Sequence, residues 1–73
     1  MNDYRTIACS DHERLEFAAL KRQWLDVNVT TGDRAGRQRL KPLDVTTRDG
    51  AEWLLAETES GEQLTVRLDW LRF

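Results

Sequence analysis

From residue 25 onward apolar side chains recur at every second position, and this alternation constrains the fold more than any other feature of the chain. Leu25, Val27 and Val29 alternate with Asp26, Asn28 and Thr30, and Leu64, Val66, Leu68 and Trp70 alternate without a fault. Successive side chains of a strand point to opposite faces, so each run gathers its apolar residues on one side. That side must be covered. In a chain of 73 residues there is little to cover it with except the sheet itself and one helix, so a flat sheet would leave a face bare.

The helix precedes the strands. From Asp11 to about Arg22 there is no Gly or Pro, and Leu15, Ala18 and Ala19 fall on one side with Phe17 and Leu20 beside them. Ser10 and Glu13 have the spacing of a capping box, Asp11 puts a negative charge at the helix start, and Lys21 and Arg22 lie near its end. The sequence thus predicts a helix over about 11–22 and strands over about 24–30, 38–45, 52–58 and 62–70. Leu71 and Phe73 belong to a possible short fifth element. Pro42 cannot donate to a ladder, so the second strand is expected to bulge or lie at an edge there. Asp49-Gly50 and Ser60-Gly61 are turn signals. Trp53-Leu54-Leu55-Ala56 is apolar on both faces, as in a central strand. Leu40, Leu43 and Val45 are core candidates on the second strand. Curling the sheet lets Leu25, Val27, Val29, Leu55, Leu64, Val66 and Leu68 share one core. The expected fold is a mainly β domain over 1–73 with one N-terminal α-helix, a small bent barrel of the Sm-like or SH3-like kind.

Charge and composition narrow the function. An apolar fraction of 40% is too high for a disordered chain. A single cysteine cannot form an internal disulfide. No run approaches the roughly 18 apolar residues of a membrane span, and no charged-then-apolar leader opens the chain, so a cytoplasmic domain without membrane contact is expected. The sole histidine, His12, reads as an exposed residue at the helix start, and Cys9 as a packing thiol. No phosphate loop, metal-ligand spacing or nucleophile-base set is present, so no catalytic residue, metal or cofactor is expected. Three tryptophans are generous for this length; Trp24, Trp53 and Trp70 fit core or rim packing in so small a domain. Tyr4, in the extended lead-in, is placed to anchor that segment on the sheet. The net charge of −2 gives no general argument for nucleic acid, and no direct DNA binding is expected. The distribution is uneven, though: Arg34, Arg37, Arg39 and Lys41 form a basic stretch, while Asp49, Glu52, Glu57, Glu59 and Glu62 form an acidic one.

Several short segments, in order and spacing, resemble one known family. They are Met1-Asn2-Asp3-Tyr4, Ile7-x-Cys9, Asp11, Leu15-Glu16, Leu25-x-Val27-x-Val29 leading to Gly32, Asp44, Glu52-Trp53-Leu54, Gly61-Glu62 and Arg67-Leu68-Asp69. Across nearly the whole chain they are similar to the Rof family, the YaeO-like Rho-binding antiterminators of bacteria. The resemblance implies a helix packed on an Sm-like β-barrel and no enzymatic activity. It further implies that the partner is transcription termination factor Rho. The contact would be Rho's N-terminal OB-fold domain, where blocking the single-stranded RNA site prevents RNA loading and suppresses termination.

A surface that captures phosphates is positively charged, so a competitor can present carboxylates to it. The partner-binding candidates at positions matching the family are Asn2, Asp3 and Tyr4 in the arm and Asp11, Glu13 and Glu16 on the helix. Arg48 and Asp49 in the loop before Gly50 are a second contact. This reading requires the basic stretch to point away from Rho. A competing reading is an Sm-like module that binds RNA directly through Arg34, Arg37, Arg39 and Lys41, with a tryptophan as stacking platform.

Overall fold

The computed structural model describes residues 4–32 and 35–73. It is a mainly β protein with one helix, α1 (Cys9–Lys21), and five strands: β1 (Leu25–Val29), β2 (Gly36–Arg48), β3 (Ala51–Thr58), β4 (Gln63–Arg67) and β5 (Leu71–Arg72). The strands form one open antiparallel sheet in the order β4-β3-β2-β1-β5. β3 lies between two neighbours, as its two-sided apolar run requires.

The helix begins two residues earlier than the sequence suggests, and its start is built differently. Ala8 occupies the N-cap with extended backbone and no side-chain cap, while the Asp11 and His12 N–H groups both donate to the Ala8 carbonyl at 3.0 Å. Ser10 therefore lies inside the helix, and the expected capping box with Glu13 does not form. At the other end Arg22 adopts the left-handed conformation at φ 55°. Its N–H donates to the Ala19 carbonyl at 3.4 Å and that of Gln23 to the Ala18 carbonyl at 3.0 Å, the pattern of a Schellman closure. An arginine at a position that favours glycine is held by its own side chain, whose Nη1 donates to the Leu43 carbonyl at 2.7 Å.

β2 gives the sheet its form. Its first part, Gly36–Leu40, pairs with β1, and its second, Leu40–Arg48, pairs with β3. The register slips between Pro42 and Asp44, where the missing proline N–H breaks the ladder as the sequence implies. The turn to β3 is the two-residue loop Asp49-Gly50, both at positive φ (54° and 75°), the hairpin geometry for which Asp-Gly is suited.

The core gathers Val27 and Val29 from β1, Leu40 from β2, Leu54 and Ala56 from β3, Val66 from β4, and Leu68 and Leu71 beyond it. Leu15 of α1 joins them with no exposed surface. Two expectations are corrected here. Leu54, not Leu55, faces the core, because a run apolar on both faces leaves the phase of the strand open. The alternation from Leu64 to Trp70 is not one strand: β4 ends at Arg67 and Leu68–Trp70 form a 3-10 turn. That turn carries the chain into β5, which pairs with β1 through Asn28↔Arg72 and Val29↔Leu71. Leu68 and Leu71, three apart, are both buried, a spacing that suits a 3-10 turn.

A candidate protein interface at the helix start

The start of α1 is tied to the sheet by a chain of polar contacts. Tyr4 Oη donates to Glu52 Oε2 at 3.1 Å. The same carboxylate oxygen lies 3.2 Å from His12 Nε2, and His12 Nδ1 lies 2.8 Å from Glu16 Oε1 one helical turn on. Both imidazole contacts are hydrogen bonds together only when the ring carries two N–H groups. His12 is thus not the self-solvating residue the sequence suggests. It is half-buried and bridges helix to sheet. Glu52 sits on the same side of β3 as Leu54, which brings it under the helix start.

Tyr4 anchors the lead-in from its other side as well. The Arg67 guanidinium lies 5.8 Å from the Tyr4 ring centre and 5.0 Å from that of Trp70. Arg67 is fixed by a bidentate pair with Asp69, at 2.6 and 3.0 Å, and the Arg5 backbone N–H donates to the same carboxylate at 3.2 Å. Burial and the nearby Glu52 and Asp69 carboxylates push the Tyr4 hydroxyl up to about 12, with Arg67 opposing them. Trp70 meets Trp53 edge-on at 6.2 Å, and the Arg48 guanidinium lies 5.0 Å from the Trp53 ring centre. The Trp53 Nε1–H also donates to the Arg48 carbonyl at 3.2 Å. A continuous series, Tyr4–Arg67–Trp70–Trp53–Arg48, therefore joins two segments that the sequence offers only as separate contacts.

The acidic residues divide by what they touch. Among the described residues neither Asp11, half-buried, nor Glu13, exposed, takes part in an ion pair. Glu16 contacts His12 yet keeps 59% of its side chain exposed. Glu13 and Glu16 line a cleft of about 330 Å³ together with Ile7 and Glu52. Cys9 also lines it and is exposed, contrary to the packing role expected of it. Arg48 ends β2 and Asp49 opens the turn, both exposed. Asn2, Asp3 and Arg34 lie outside the described residues.

The basic stretch lies on the side of β2 away from the core. Arg37, Arg39 and Lys41 alternate with Gln38, Leu40 and Pro42, and only the latter set pairs with the core side of β1 and β3. Lys41 is not free: its Nζ is 3.2 Å from Glu57 and 5.4 Å from the Trp24 ring centre. Glu52, Arg67 and Asp69 are the residues of this region that reasoning from sequence left without a role. The two-residue spacing of Arg67 and Asp69 was the available signal for their pairing. Among the described residues no group of His, Cys, Asp and Glu is arranged to hold a metal, and no helix is long and apolar enough to cross a membrane. Set against known proteins, the chain matches no family model, no curated protein and no solved structure.

Proposed function

We propose that the protein is a non-enzymatic, cytoplasmic inhibitor of Rho. It binds the N-terminal OB-fold domain and keeps RNA from loading, as its resemblance to the Rof family implies. The observation that carries this reading is the helix start, where Asp11 and Glu13 have no cationic partner among the described residues and Glu16 stays largely exposed. Carboxylates left unneutralised on a structured surface are suited to a site built for phosphates. The Tyr4–Glu52–His12 chain holds the lead-in and the helix against the sheet, so the acids are presented by a fixed frame. Arg37 and Arg39 lie on the face of β2 away from the core, and the proposal requires that face to point away from Rho.

The finer fold assignment belongs to the same proposal. β2 pairs with β1 through one half and β3 through the other, with a bulge near the change-over, which supports a sheet curled into an Sm-like barrel. The test is size-exclusion chromatography of the purified protein with the Rho N-terminal domain. A co-eluting complex that excess single-stranded RNA dissolves is the expected result, and no complex at micromolar concentration refutes the proposal.

A further inference from the structure

The outer face of the sheet carries a second charged surface, composed of residues other than the helix-start acids. Arg37 and Arg39 on β2 stand opposite Asn28 and Asp26 on β1. β5 extends the row, because Arg72 is the register partner of Asn28, so Arg37, Asn28 and Arg72 form a line across three adjacent strands. Among the described residues none of Arg37, Arg39 and Arg72 has a carboxylate at ion-pair distance. Arg72 donates from Nη1 to the backbone carbonyls of Leu71 and Asp69, at 2.9 and 3.2 Å, which fixes the side chain while leaving its charge unpaired.

Two aromatic rings flank this row. Phe73 is 43% exposed with the Arg14 guanidinium 5.4 Å from its ring centre, and Trp24 is 37% exposed with Lys41 over it. A depression of about 440 Å³ lies against Phe73, bordered by Arg37, Arg72, Asn28 and Asp26. An acidic peptide would need only the cations. Exposed rings beside unpaired arginines, with an amide in the middle of the row, suit a ligand that carries phosphates, flat bases and base edges together.

We infer that this face binds a single-stranded polynucleotide, with Arg37, Arg39 and Arg72 on the phosphates and Phe73 and Trp24 as stacking surfaces. The set differs from that expected from sequence, because Lys41 is neutralised by Glu57 while Arg72 and Phe73 join from the far end of the chain. Asp26 within the row opposes phosphate and keeps the binding weak at physiological salt. The inference does not rest on the Rho reading.

Fluorescence anisotropy of labelled oligouridine and oligothymidine, titrated with the full chain at low salt, tests it. The expected result is saturable binding of at least one of the two. Replacing Arg37 and Arg39 together by Gln should weaken it by about tenfold and flatten the dependence of log K on log salt by roughly 0.7 per lost contact. Phe73→Ala should cost about fivefold or more, as loss of a stacked base does. Glu59→Gln, in the exposed turn between β3 and β4, should leave it unchanged. Three results would overturn the inference: no binding of either oligonucleotide at low salt, unchanged affinity in the folded Arg37→Gln/Arg39→Gln variant, or displacement by polyglutamate as effective as by unlabelled oligouridine. The last would assign the face to an acidic protein.

Discussion

At the scale of single residues, Tyr4 is the most informative side chain. Its hydroxyl donates to Glu52 and its ring packs on Arg67, so the neutral phenol is the form that fits and a phenolate would face two carboxylates. Its ionisation is pushed from 10.0 up to about 12. The folded value lies above the unfolded one, so this contribution to stability is complete below about pH 10 and is lost as pH rises through about 12. As the chain has one tyrosine, an ultraviolet titration reads it without overlap from others, and the midpoint should fall near 12 in the folded protein and near 10 in denaturant. Tyr4→Phe should cost about 1 kcal/mol at neutral pH and remove this alkaline component from thermal melts. A midpoint near 10 in the folded protein would mean that the lead-in is not docked. The sequence placed Tyr4 against the sheet but gave no sign of Glu52 as its acceptor. That partner is 48 residues away and is set by the fold, not by spacing.

At the scale of elements, the helix start is the feature that sequence reasoning placed wrongly, and it is open to improvement. Ser10 and Glu13 carry a capping-box spacing, yet the chain enters the helix at Ala8 because the contact of His12 with Glu52 fixes where the first turn meets the sheet. Tertiary contact overrode the local signal. Ala8→Ser should supply the missing cap, since the backbone there is already extended and the hydroxyl can accept from the Ser10 or Asp11 N–H. The expected gain is about 1 kcal/mol, read as a rise in melting temperature of about 4–8 °C. An unchanged or lower melting temperature would contradict the Ala8 assignment. The strands were more legible. The alternation of β1, the interior place of β3 between β4 and β2, the irregularity at Pro42 and the Asp49-Gly50 turn follow from local chemistry alone. What escaped was the phase of β3 and the end of β4, because neither a two-sided apolar run nor an unbroken alternation records where a strand stops pairing.

At the scale of the whole molecule, stability is concentrated in a few fully buried side chains from the helix, β2, β3 and the 3-10 turn. Leu15, Leu40, Leu54 and Leu68 have no exposed surface. Leu54→Ala should cost about 2–5 kcal/mol. That approaches the whole stability of a core this small, so denaturant melts should show a largely unfolded population at 25 °C. A loss below about 1 kcal/mol would mean that β3 does not hold the centre of the core. The division of charge is also a property of the whole. The acids of the helix start and the arginines of β2 and β5 come from different elements, and each gathers one sign of charge although the net charge is only −2. The sequence exposed both charge sets, and the two-residue spacing of Arg37 and Arg39 puts them on one face of β2. Arg72 joins them only through the β5–β1 pairing, which no local pattern could reveal.

The measurement that decides the Rho reading is competition on Rho's N-terminal domain preloaded with labelled single-stranded RNA. The wild-type chain should displace the RNA in proportion to its concentration. Glu13→Lys, with an unchanged circular dichroism spectrum, should displace it at least about tenfold less well, as reversing one interfacial charge costs on the order of 1.4 kcal/mol or more. RNA that stays bound at saturating wild-type protein, or a Glu13→Lys variant that displaces it equally well, would contradict the account.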